Sequence, residues 1–170
     1  MHHNAVAIWG LRPIFSEDTM TIDKEALKRT LRSLEEGDLQ RAEHAYEQSF
    51  GFARVVQGEI VEVDDLSQAV QSRNLAEQYE GQVHDHREHL AQLDSISFDA
   101  THTVEPGAVV KLAGRERMVA IAVATAEFEC EGRAFLGISP EAPLYKAMEG
   151  LEAGESFDLN DREFEIESVW

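Results

Sequence analysis

Four carboxylates crowd one short stretch of this chain: Glu59, Glu62, Asp64 and Asp65 all fall within EIVEVDD. Carboxylates held close together repel, and a shared cation relieves the repulsion. The alternative is structural: Asp64 or Asp65 caps the helix that follows, whose N-terminus favours negative charge. On an extended chain adjacent side chains point in opposite directions. Asp64 and Asp65 would then converge on one ion only if the loop turns between them.

A second group with ligand chemistry is His84, His86 and His89, in VHDHREHL. On a helix the positions 86 and 89 share a face and 84 does not. His86 also falls on the apolar seam of its helix, and the three read as ordinary seam and surface histidines. Cys130 is the one cysteine, so no disulfide forms within the chain, which suits a reducing cytoplasm. It sits in the strand-like run FECEGRAF and reads as a packing residue.

These groups need elements to hold them. Thr21 or Asp23 can cap a helix beginning near Lys24, with a stripe of Leu27, Leu31, Leu34, Ala42 and Ala45. Its polar face carries Glu35, Glu36, Arg41, Glu43 and Glu47, and Gly37-Asp38 is expected to kink or divide it. A second helical run extends from Asp64-Asp65 to about Leu93. Its seam is Ala69, Ser72, Ala76, Tyr79, Val83, His86, Leu90 and Leu93, spaced as in a coiled coil. Two long, narrowly striped neighbours suggest an antiparallel hairpin, each arm roughly 40 Å long at 1.5 Å per residue. The stretch from Phe50 to Asp65 reads as its non-helical tip, since Gly51 and Gly58 punctuate it and Val55, Val56, Ile60, Val61 and Val63 favour extended backbone. The tip's apolar Phe50, Phe52, Val55, Val56 and Ile60 either form an interface or pack on the coil as a small β-hairpin.

From Thr103 the pattern turns to period two. VEPGAVVKLAG, RERMVAIAVA, FECEGRAFLGIS, ESFDLND and REFEIESVW read as five strands. PEAPLYKAMEG reads as one short helix, with Pro140 near its start and Gly150 at its end. The fold class is therefore α+β: a helical hairpin over residues 20–97 with its tip near 50–65, then a small antiparallel β domain over 98–170. Residues 1–19 read as a weakly ordered extension, with Met20 as the natural start; the competing reading is a docking arm using Trp9 and Phe15.

Composition narrows the partners. The formal net charge is −18 over 170 residues, which opposes direct reading of DNA and favours basic protein surfaces. No stretch approaches the ~20 apolar residues of a membrane span. The N-terminus lacks the charged start and cleavage site of a signal peptide. The expected compartment is the cytoplasm.

The last third of the chain, ISPEAPLYKAMEGLEAGESFDLNDREFEIESVW, resembles the C-terminal end of the Gre transcript-cleavage factors, through Ile138, Ser139, Pro143, Leu144, Ala147, Gly150, Gly154, Glu155 and the closing Phe164-Glu165-Ile166. Ala142 stands where that family usually has serine. VEPGAVVKL is similar to the first strand of the family's domain, with Gly107 and Val109 in place, and EVDDLSQAVQSRNLA resembles its tip. The resemblance implies an N-terminal antiparallel coiled coil and a C-terminal FKBP-like domain. It implies binding to bacterial RNA polymerase, with the hairpin in the secondary channel and the domain on the channel rim near Ser139, Pro140, Pro143 and Leu144. No cofactor is implied beyond Mg²⁺ shared with the polymerase. The tip acids would hold that ion while the polymerase cuts backtracked RNA, so the chain itself is not an enzyme. Asp65, followed by Leu66, matches the family's first tip acid, and Asp64 is the adjacent candidate; the second acid falls three residues later, where this chain has Gln68. A non-cleaving regulator that occupies the same channel is the nearest alternative. Two other classes differ more: a peptidyl-prolyl isomerase built on the FKBP-like domain, and a coiled-coil adaptor. Against the isomerase, Phe128, Phe135, Tyr145, Phe157 and Phe164 read as core and helix packing.

Overall fold

The computed structural model describes residues 21–56 and 63–170. Two α-helices of 33 residues each, α1 (Lys24–Val56) and α2 (Val63–Ser95), come first. The Asp23 carboxylate accepts the Ala26 amide at 2.8 Å, so Asp23 is the cap of α1. The helices run antiparallel: Arg32 pairs with Asp94, Glu35 with His89, and Glu43 with Arg87, so positions rising along α1 meet positions falling along α2. At 1.5 Å per residue each helix is about 50 Å long.

Two expectations about α1 are corrected. Gly37-Asp38 does not divide it, because the helix runs unbroken from Lys24 to Val56. Phe50–Val56 is helical backbone, not part of an irregular tip. The extended preference of Val55 and Val56 is a weak prior, and continuation of a helix already nucleated over seven turns outweighs it.

Six strands follow: β1 (Val109–Leu112), β2 (Met118–Ile121), β3 (Glu127–Cys130), β4 (Arg133–Ile138), β5 (Ser156–Leu159) and β6 (Arg162–Val169), with α3 (Pro143–Met148) between β4 and β5. FECEGRAFLGIS is thus two strands and not one. Its chain reverses at Glu131-Gly132, both at positive φ, and pairs Cys130 with Arg133. The strand order is β3-β4-β2-β1-β6-β5. Every neighbouring pair is antiparallel except β2 with β4, which is parallel from Met118↔Phe135 to Ile121↔Ile138. The sheet is mixed, where a purely antiparallel one was expected. Two strands that pair side by side without being consecutive need no shared turn, and only then can they run the same way.

Both faces of the central strands are buried. On one face Val109, Met118 and Ala120 pack with Phe128 and Phe135 against Leu27, Leu31, Leu93, Ile96 and Phe98 from the base of the hairpin. On the other, Val110, Leu112, Val119 and Ile121 pack with Ile166 against Tyr145 and Met148 of α3. This is why β2 reads as the unbroken apolar run MVAI instead of alternating. The hairpin base is therefore part of the sheet's own core, and each fully buried leucine there contributes roughly 1.5–3 kcal/mol. Ala42, Ala76 and Val83 are buried yet belong to neither cluster, so among the described residues this part of the hairpin packs helix on helix and not on the sheet.

Polar contacts close the joint. Lys24 Nζ donates to the Asp99 carbonyl at 2.5 Å, Lys28 Nζ to the Ile96 carbonyl at 3.1 Å, and Arg133 Nη1 to the Thr21 carbonyl at 3.0 Å. Lys24 is buried, and that burial lowers its pKa below the ordinary lysine value, against the opposing pull of Glu105 and Asp99. Cys130 is buried and free, with Thr30 Oγ1 at 3.5 Å from its sulfur, as a packing residue should be. No helix among the described residues is long and apolar enough to cross a membrane.

Candidate functional site

Three places carry the functional expectations. The first is the distal end of the hairpin. Glu59 and Glu62 lie outside the described residues, as do 1–20. Asp64 and Asp65 occupy the first turn of α2, on helical backbone. The extended geometry weighed for this pair is thereby replaced: successive helical positions are turned by about 100°, not 180°. A first-turn acid is favoured there by the unpaired amides and by the helix dipole, whatever else it does. Residue 68 shares Asp65's side of the helix, three positions on, and it is a glutamine.

The second place is the connection from β4 into α3. Ser139 and Pro140 are half-buried, Pro143 is exposed and Leu144 is half-buried. The Ala142 amide donates to the Ser139 carbonyl at 3.0 Å, which closes the turn around Pro140. Pro143, not Pro140, opens the helix: it takes an early position where its missing N–H costs nothing, and Ala142 supplies no side-chain cap. Leu144 also lines an open groove with Leu136, Phe164, Arg115 and Arg117, and the Arg115 guanidinium lies 6.0 Å from the Phe164 ring centre. Two arginines beside an apolar strip are notable on so acidic a chain.

The aromatic residues read as core and helix packing are packed so, with Phe128, Phe135, Tyr145 and Phe157 buried and Phe164 against the core. Phe128 stacks on Phe135 at 5.7 Å and Phe157 on Phe164 at 5.6 Å. Tyr145 is buried and donates its hydroxyl to Glu149 at 3.1 Å, and burial first, then Glu149, raises its pKa above the ordinary tyrosine value.

The third place was not anticipated. Glu35, read as part of the solvated face, is 2% exposed, while Leu34, read as a seam residue, is 38% exposed. Position 35 therefore belongs to the stripe, and the signal was present: Leu27, Leu31 and Glu35 are spaced four and four, and Ala42 follows seven later. Across the seam, His86 Nδ1 lies 2.8 Å and His89 Nδ1 3.3 Å from the same Glu35 carboxylate oxygen. The two imidazoles meet edge to face at 6.0 Å. His86 is a seam residue as expected, and His89 joins it, since 86 and 89 share a face. His84 does not: it pairs with Glu88 on the exposed side. A buried carboxylate is costly unless hydrogen-bonded, and these two rings supply its partners. Around this layer, Arg32 bridges Glu36 and Asp94, and both acids hold the Arg32 pKa above its ordinary value, Glu36 first.

No protein-family model matches this chain, and no curated protein sequence matches it.

Proposed function

We propose that this chain is a Gre-type factor that binds bacterial RNA polymerase, inserting its hairpin into the secondary channel and docking through an FKBP-like sheet unit. The observation that carries this reading is the arm itself. Two 33-residue helices are rooted by Leu27, Leu31 and Leu93 in the sheet's core, while beyond that base, among the described residues, they pack on each other and not on the sheet. Beyond the rooted base, from Glu35 to Val56, the arm extends about 33 Å, long enough to reach into a deep channel. The sequence resemblance over the last third of the chain supplies the identity of the partner. The net charge of −18 suits basic channel walls and disfavours free nucleic acid.

In this reading Ser139, Pro140, Pro143 and Leu144 contact the channel rim. Asp64 and Asp65 stand at the inserted end, where Glu59 and Glu62 add negative charge. Phosphodiester cleavage by two metals needs a second ion held beside the attacking water, and a carboxylate contributed there would recruit Mg²⁺ to the polymerase's own site. A second reading, a regulator that fills the channel without stimulating cleavage, is favoured by one observation: Gln68 cannot supply the second charge on Asp65's side of α2.

The test is RNA cleavage in a stalled, backtracked elongation complex of the cognate polymerase, with Mg²⁺, comparing the parent chain with an Asp64→Ala/Asp65→Ala double variant. Loss of a metal-organising carboxylate should slow cleavage at least about a hundredfold. Shortened transcripts from the parent but not the variant establish the cleavage factor. No cleavage by a chain shown to be bound to the polymerase leaves the channel-filling regulator. Failure to bind the polymerase at all ends both readings.

A further inference from the structure

The geometry points to a transition-metal site, with Zn²⁺ its foremost ion, built by Glu35, His86 and His89 across the two helices of the hairpin. It is independent of the polymerase reading and distinct from any Mg²⁺ at the tip.

The three ligand atoms, one carboxylate oxygen and two imidazole nitrogens, all lie within 4.8 Å of one another. Tetrahedral Zn²⁺ with N and O ligands at about 2.0–2.1 Å sets its donors roughly 3.3–3.4 Å apart. The His89–Glu35 edge is 3.3 Å already, and the His86–Glu35 edge, at 2.8 Å, has only to open by about half an ångström to meet that spacing. The side chains of His86 and His89 are 24% and 32% exposed. Their rings can therefore make this adjustment, an ion has a way in from solvent, and a water can complete the fourth position.

The donor set selects the ion. Two imidazoles and one carboxylate suit Zn²⁺ and its neighbours in the first transition row, whereas Mg²⁺ and Ca²⁺ prefer oxygen alone. Electrostatics favours occupancy. The Glu35 side chain is 3% exposed, and a divalent cation bound directly to a buried carboxylate compensates its charge. The layer also interrupts the apolar seam between Leu31 and Ala42. An ion there would join α1 to α2 and stiffen the arm. Glu35 and His86 are 51 residues apart in sequence, so the site exists only when the hairpin is paired, and an ion that binds it stabilises the folded chain by mass action.

The experiment is calorimetric titration of the chelator-stripped full chain with Zn²⁺, beside Glu35→Gln and His89→Ala. One equivalent per parent chain should be lost in each variant, or weakened at least about tenfold, the least that even a supporting partner of a metal ligand is worth. Zn²⁺ should raise the Tm of the parent more than that of either variant, and Mg²⁺ at the same concentration should not raise it. The other histidines, His2, His3, His44, His84 and His102, are common to all three proteins, so the difference between them isolates this site. Because Glu35→Gln removes a buried group, nitrogen NMR of the parent's imidazoles provides a readout free of mutation: one equivalent of Zn²⁺ should shift Nδ1 of His86 and His89. Identical stoichiometry and affinity in the parent and His89→Ala, or unmoved His86 and His89 nitrogens, would overturn the proposal.

Discussion

Replacing Gly107 by alanine tests how tightly the hairpin's exit is fitted to the sheet. Gly107 has φ +93°, and a Cβ placed on it would lie 1.8 Å from the Ser97 carbonyl oxygen, 2.9 Å from its carbon and 3.1 Å from the Ile96 side chain. Its amide donates to the Ile121 carbonyl at 2.7 Å, so the backbone cannot retreat without breaking a sheet hydrogen bond. Two costs follow. A side chain at that φ carries about 1–3 kcal/mol of backbone strain. Forcing Ser97 aside adds about 1–3 kcal/mol, as overpacking does elsewhere. The sum, about 2–6 kcal/mol, corresponds to a Tm lowered by roughly 5–20 °C for a chain of this size. Gly114→Ala is the control, because Gly114 also has positive φ (+68°) but a Cβ there meets nothing within 4 Å. It should show the strain alone, about 1–2 kcal/mol. The assay is thermal unfolding followed by circular dichroism. A Gly107→Ala loss no greater than that of Gly114→Ala refutes the close approach of the α2 exit to the sheet.

Leu31→Ala empties a fully buried position shared by the hairpin and the sheet, and should cost about 2–5 kcal/mol in urea unfolding; a cost below about 1 kcal/mol, the range of well-tolerated changes, would mean the hairpin base is not part of that core. Tyr145→Phe should cost about 0.5–1.5 kcal/mol at neutral pH through the lost hydrogen bond to Glu149. The folded pKa of Tyr145 is raised above 10, so the folded state holds this proton longer than the unfolded chain. Its contribution is thus full below pH 10 and is lost as pH rises through the folded value. The stability gap between parent and variant should narrow above pH 10, and a gap that widens there would reverse the assignment.

The local patterns in this chain carried most of its elements, because helix and strand periods are properties of neighbouring residues. The 3.6-residue stripe marked α1 and α2, Asp23 marked the start of α1, and the β region and the short helix with its prolines were legible from period two and turn chemistry. Boundaries failed where propensity alone had to decide, as at Val55-Val56, and where one apolar run hid a hairpin, as at Cys130–Arg133.

The pairing was decided elsewhere. Nothing local dictates that β2 lies parallel to β4, since their contact joins residues remote in sequence. Nor could the stripe of α1 alone show that its base packs into the sheet while Ala42, further along, packs only within the described hairpin. The polar layer is the clearest case. Spacing put Glu35 in line with Leu27 and Leu31, and put His89 on the face of the seam residue His86, yet residue type argued for solvent at Glu35 and His89. Only the antiparallel register of two long helices brings the carboxylate and the two imidazoles together across a seam. A buried charge becomes tolerable only when partners from another element arrive to meet it, and those partners are a property of the fold.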